Sequence, residues 1–90
     1  MSEHIEAGKE FIARIVHQCI PTIERDFWRD DPNKGDVIQH FYFFLEGRPH
    51  AYRIAFMTSS LDACADPCNS NERHSVEQYI RQKISIILQM

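Results

Sequence analysis

The chain has little of what usually marks a chemistry. It contains 3 glycines, and none sits in a Gly-rich loop that could cradle phosphate. Neither Gly-x-Ser-x-Gly nor His-Glu-x-x-His occurs. No nucleophile arrangement of Ser, Cys and His emerges, so no enzyme and no cofactor are expected. No apolar run approaches the ~20 residues that span a bilayer, so no membrane segment is expected. The start, MSEHIEAGKE, is polar and acidic, unlike a secretory signal. The 10 Lys and Arg never form a run and the formal charge is −3, which argues against general nucleic-acid binding. There are 3 cysteines, an odd count that fits free thiols in a reducing, cytoplasmic setting. Repeats and low-complexity tracts are absent.

What the chain does have is one soluble-type domain over residues 1–90, with 43% hydrophobic and 26% charged residues. Its densest stretch is Asp36 to Thr58, DVIQHFYFFLEGRPHAYRIAFMT, which holds four of the 6 Phe and two of the 3 Tyr. It reads as a β-hairpin. Gly47-Arg48 would form a two-residue type II′ turn, with Gly47 taking the positive φ that such a turn needs. This register pairs Phe43 with Tyr52, Phe41 with Ile54 and Gln39 with Phe56. One face then collects Val37, Phe41, Phe43, Leu45, Tyr52, Ile54 and Phe56, a coherent core face. The other carries Ile38, His40, Tyr42, Phe44, Ala51, Arg53, Ala55 and Met57. That second face is too apolar for ordinary solvent contact and suggests a partner surface.

Residues 3 to about 28 read as a helix, capped by Ser2. Ile12, Ile15, Val16, Cys19, Ile20, Ile23 and Phe27 repeat at three and four. Gly8 should weaken its first turns by ~1 kcal/mol relative to alanine. Pro21 either kinks the helix or ends it. Phe27 is expected in the core and Trp28 half exposed. Residues 29–36 form an acidic loop, with Asp26, Asp30, Asp31 and Asp36 close in sequence. Residues 59–71 read as a loop with at most one helical turn, at 61–65. Residues 72–89 read as a second amphipathic helix, with Val76, Tyr79, Ile80, Ile84, Ile87 and Leu88 on one face.

The expected fold is therefore α+β in the order helix, strand, strand, helix, with both helices on one face of the hairpin. Both strands are edges, which invites pairing with a second copy into a four-stranded sheet. The order resembles that of the double-stranded-RNA-binding domain. It lacks that domain's third strand, and the last helix opens Glu72-Arg73-His74-Ser75 rather than with a lysine cluster, so no family is assigned.

Three functional readings follow. The first is a non-enzymatic protein-interaction module, an accessory, adaptor or inhibitor, possible as a homodimer. Its contact residues would be Trp28, Asp30, Asp31, His40, Tyr42, Phe44, Arg53 and Met57. The second is a zinc site in the 62–74 loop from Cys64, Cys68 and His74, whose spacing is permitted but which lacks a fourth ligand. The third is nucleic-acid binding through a folded patch of Arg48, Arg53 and Arg73.

Overall fold

The computed structural model describes residues 3 to 89; the capping residue Ser2 lies outside them. The elements, in order, are α1 (Glu3–Cys19), β1 (Ile23–Asp30), β2 (Ile38–Leu45), β3 (Ala51–Met57), α2 (Thr58–Cys64) and α3 (Ser70–Gln89). The strands form one antiparallel sheet in the order β1-β2-β3. The α+β class holds, with one strand and one short helix more than the sequence suggested.

The first helix does not reach residue 28. Pro21 has no N–H to donate and its ring crowds the preceding turn. The last α-type bond runs from Ile20 N–H to the Val16 carbonyl at 2.9 Å, and Pro21-Thr22 makes the turn into β1. Ile23 and Phe27 mimic a helical stripe because they are four apart, yet here they belong to a strand. The strand also supplies what the resemblance to the double-stranded-RNA-binding domain lacked. The lysine cluster of that domain remains missing.

The hairpin register is as expected: Phe43 pairs with Tyr52, Phe41 with Ile54 and Gln39 with Phe56. The turn itself sits one residue earlier. Arg48 N–H donates to the Leu45 carbonyl at 3.1 Å, so Glu46 and Gly47 are its central residues. Gly47 has φ +78°, the third-position value of a type II turn rather than the second-position value of II′. With three strands per chain, the expected four-stranded sheet across two copies is not what this geometry offers.

Alternation in β2 and β3 sends Phe41, Phe43, Leu45, Ile54 and Phe56 to the helix side, where they are buried. Val37, expected with them, is instead exposed just before β2, and Gln39 occupies the core face in buried form. Ile12, Ile15, Val16 and Ile20 pack there from α1 and its C-terminal turn. Leu61 and Cys64 come from α2, and Val76, Ile80, Ile84 and Ile87 from α3. Leu88, placed on that stripe by spacing, is exposed, as is Ile86. All three helices thus cover one face of the sheet. α2 was read largely as loop, because only Leu61 and Cys64 of its seven residues are buried.

Candidate functional site

The other face of the sheet is the feature that stands out. Three cross-strand rows run over it. Arg25 lies beside Phe44, which pairs with Ala51; Phe27 beside Tyr42, which pairs with Arg53; and Arg29 beside His40, which pairs with Ala55. Ile38 and Met57 add a fourth, shorter row. A β-bulge between Ile23 and Arg25 makes this possible. The extra residue lets Ile23 pack towards the core while Arg25 turns to the opposite side.

The side chains on this face contact one another. Phe27 and Tyr42 are stacked, with centroids 5.2 Å apart and planes within 7°. Phe44 lies 6.3 Å from Phe27. The Arg25 guanidinium sits 4.4 Å from the Phe44 centroid, and that of Arg29 is 5.3 Å from the Phe27 centroid. Such cation–π contacts hold the guanidiniums in place over the rings. None of the paired strand positions on this face is Asp, Glu or Lys; Glu24 sits unpaired in the bulge. Phe27, Tyr42 and Phe44 remain half-buried, Arg25, Arg29 and Arg53 exposed, and Met57 is 56% exposed. The ring contacts among the described residues bring no helix onto Phe27, Tyr42 or Phe44.

One end of the face is closed by Asp31. Its carboxylate accepts backbone N–H bonds from Asn33 and Lys34, both at 2.9 Å, and pairs with His40 Nε2 at 2.9 Å. His40 is buried, and its Nδ1 has no partner among the described residues. The His40 bond first, and then the two N–H donors, hold the Asp31 pKa down at about 2 against 3.8. A depressed carboxylate pKa favours the fold above the ordinary value, and that contribution is lost as pH falls through the folded one. Acidification from about pH 4 to about pH 2 is therefore expected to release the 31–34 turn. A carboxyl-carbon NMR titration of Asp31 checks this: a midpoint near 3.8 would contradict the pairing.

The expected contact residues divide between two surfaces. His40, Tyr42, Phe44, Arg53 and Met57 share the uncovered face, with Asp31 at its rim. Trp28 faces the helices, 4.9 Å from Phe41 and 5.8 Å from Phe56, under Lys9. Phe27 thus lies outside the core that helical spacing gave it, while Trp28, half-buried, packs against that core. The acidic residues also disperse. Asp26 pairs with His17 of α1. Asp30 and Asp36 line a cleft of about 390 Å³ with Glu6, Lys9 and Gln39.

Cys64 is buried in the core, where desolvation pushes its thiol up, while Cys68 and His74 are exposed. Among the described residues no group of three or more His, Cys, Asp or Glu is arranged to hold a metal ion. Cys19, Cys64 and Cys68 are all free thiols. The three arginines of the nucleic-acid reading have separate engagements. Arg48 donates to the Tyr52 hydroxyl, Arg53 lies on the uncovered face, and Arg73 stacks on Phe11 and donates to the Cys64 carbonyl. No described helix is long and apolar enough to cross a membrane.

Sequence reasoning missed Arg25, Phe27 and Arg29 as site residues. Their signal was there as a period of two, Arg-x-Phe-x-Arg, inside what read as a helix. Comparison with protein-family models, curated proteins and solved structures gave no match.

Proposed function

We propose that this chain works by protein–protein contact, docking through the uncovered face of its sheet with the Asp31 turn at the rim. One observation carries the reading. Phe27, Tyr42 and Phe44 stand among Arg25, Arg29 and Arg53 on a sheet face clear of the helical layer. Interface centres are rich in aromatic residues, Met and Arg and poor in Lys, Glu and Asp, which is this face's composition. The matching partner surface has carboxylates around an apolar centre. An accessory, adaptor or inhibitory role needs only such a surface and no catalytic group.

Single-strand binders also use aromatics on sheets with basic neighbours, but there successive bases stack on open ring faces. Here Phe27 has Tyr42 stacked against it and Arg29 over it, and Phe44 lies under Arg25. Ring faces already occupied favour a protein partner over bases.

The test compares tagged wild type with Tyr42→Glu, Phe44→Glu and a control on exposed α3, Gln82→Glu, each recovered from its native cells. A central aromatic is worth ~2 kcal/mol or more, about thirtyfold in affinity, so both face variants should lose a co-purifying protein that the control keeps. Identical recovery from all four sinks the reading. Bound material released by nuclease would transfer the face to nucleic acid.

A further inference from the structure

A second surface, the outer edge of β3, carries an inference that shares only its arginines with the uncovered face. β3 is an edge strand, and its register shows which of its backbone groups point outward. Thr58 N–H donates to the Val37 carbonyl at 2.8 Å, whereas the Ile38 carbonyl accepts from Asp31 on the β1 side. Backbone groups alternate along a strand, and this ladder has no register shift. Gln39, Phe41 and Phe43 therefore bond Phe56, Ile54 and Tyr52. The N–H and C=O groups of Arg53 and Ala55 point away from the sheet. The Tyr79 hydroxyl confirms this by donating to the Ala55 carbonyl from outside, at 2.8 Å.

The two edges are treated differently. β1 has a bulge and the charged residues Glu24, Arg25, Asp26, Arg29 and Asp30, features that keep an edge from pairing. β3, AYRIAFM, has one charge and no bulge. Beside its outward edge lies a cleft of about 380 Å³ running between Ala55–Met57 and α3, lined by the apolar Phe56, Val76 and Tyr79 and by the carboxylate of Glu72, which keeps acidic side chains off the helix side.

We infer that the β3 edge accepts an extended segment of another protein as a fourth strand, lying in the cleft against α3. Strand addition takes its affinity from main-chain bonds and its specificity from alternate side chains. On the helix side those side chains meet Val76, Tyr79 and Phe56, which calls for valine, isoleucine or leucine. On the other side they lie beside Arg53, with Arg25 and Arg29 further across the sheet and no opposing carboxylate at the paired strand positions, which calls for glutamate or aspartate. The occupant is thus an extended segment alternating apolar with acidic residues. A second copy fits less well. An antiparallel β3 pair centred on Arg53 sets two arginines opposite each other; the Ala55 carbonyl, which Tyr79 engages, is closed to either occupant, so the added segment pairs through both backbone groups of Arg53 and the Ala55 N–H.

The probe is a short fluorescein-labelled peptide alternating glutamate with valine, titrated by anisotropy, with amide exchange followed by NMR. Binding should slow exchange at Arg53 and Ala55. The lysine–valine counterpart should bind about tenfold more weakly, a difference of ~1.4 kcal/mol. Arg53→Glu should reverse that order, and Ala55→Pro, which removes one outward N–H at an edge that tolerates proline, should abolish binding. The wild-type exchange data stand whether or not Ala55→Pro folds. No binding up to the peptide's solubility limit overturns the inference. So does binding that leaves Arg53 and Ala55 amides unprotected while shifting Phe27 and Tyr42, because the peptide would then occupy the uncovered face. A dimer that protects the same amides without peptide gives the edge to a second copy and overturns it too.

Discussion

Gly8→Ala is expected to destabilise the domain by about 1–3 kcal/mol or more, although alanine is the better helix former. Gly8 lies on the buried face of α1, where α2 crosses. A Cβ there would meet the backbone of Leu61, with the carbonyl carbon at 2.6 Å, the Cα at 2.9 Å and the carbonyl oxygen nearer still. These are backbone atoms of a neighbouring helix, so no rotamer change relieves the clash; α2 must move. Leu61 and Cys64, both fully buried, would move with it. Helix propensity alone predicts the opposite sign, a gain of ~1 kcal/mol. Urea denaturation separates the two, and a Gly8→Ala variant as stable as wild type, or more so, would remove the close approach from the fold.

Phe41→Ala is expected to have the largest effect, a loss of about 3–5 kcal/mol. Phe41 is fully buried in the central strand, 4.9 Å from Trp28 and 6.0 Å from Phe43. Its removal would leave a cavity at the middle of the sheet that neighbours on β1 and β3 cannot both fill. At ~0.05–0.15 kcal/mol per residue, a chain of this length has roughly 5–13 kcal/mol to lose. The variant should therefore be largely unfolded well below the wild-type melting temperature. Trp28 is the single tryptophan and packs on Phe41, so its fluorescence reads the loss directly, with far-UV circular dichroism as the second probe. A shift under about 1 kcal/mol would contradict the packing.

These two positions also show what was and was not legible in the sequence. Phe41 was readable. A period-two run of large apolar residues on both sides of a glycine fixes the hairpin register, and the register held even though the turn is built around Glu46-Gly47. Gly8 was readable only as a weakness in a helix. Its reason is tertiary, since α2 comes close there, and α2 itself was hidden because it buries two side chains in a segment without a period.

The lost strand has a different cause. Ile20, Ile23 and Phe27 continue the three-and-four spacing of α1 across Pro21, and the period of two in Arg25, Phe27 and Arg29 is carried partly by charged residues. Hydrophobic patterning reads burial, and β1 buries little on one side. The same property that hid the strand built the candidate site. The hairpin half of that site, His40, Tyr42, Phe44, Arg53 and Met57, was legible as a face too apolar for solvent. The β1 half was not, because the helical reading placed Phe27 in the core and Trp28 half exposed on a loop, whereas the strand turns Phe27 away from the helices and the half-buried Trp28 onto them.

The central claim is that the uncovered sheet face is where another protein docks. The most direct measurement is site-specific photo-crosslinking in the native cells, with the photoreactive amino acid placed in turn at Phe44 and at Gln82 on α3. The docking reading predicts a discrete protein adduct from position 44 and none from position 82, with the adduct lost when Arg25 and Arg29 are changed to glutamate. Equal labelling from both positions, or no protein adduct from position 44 in folded protein, would contradict it.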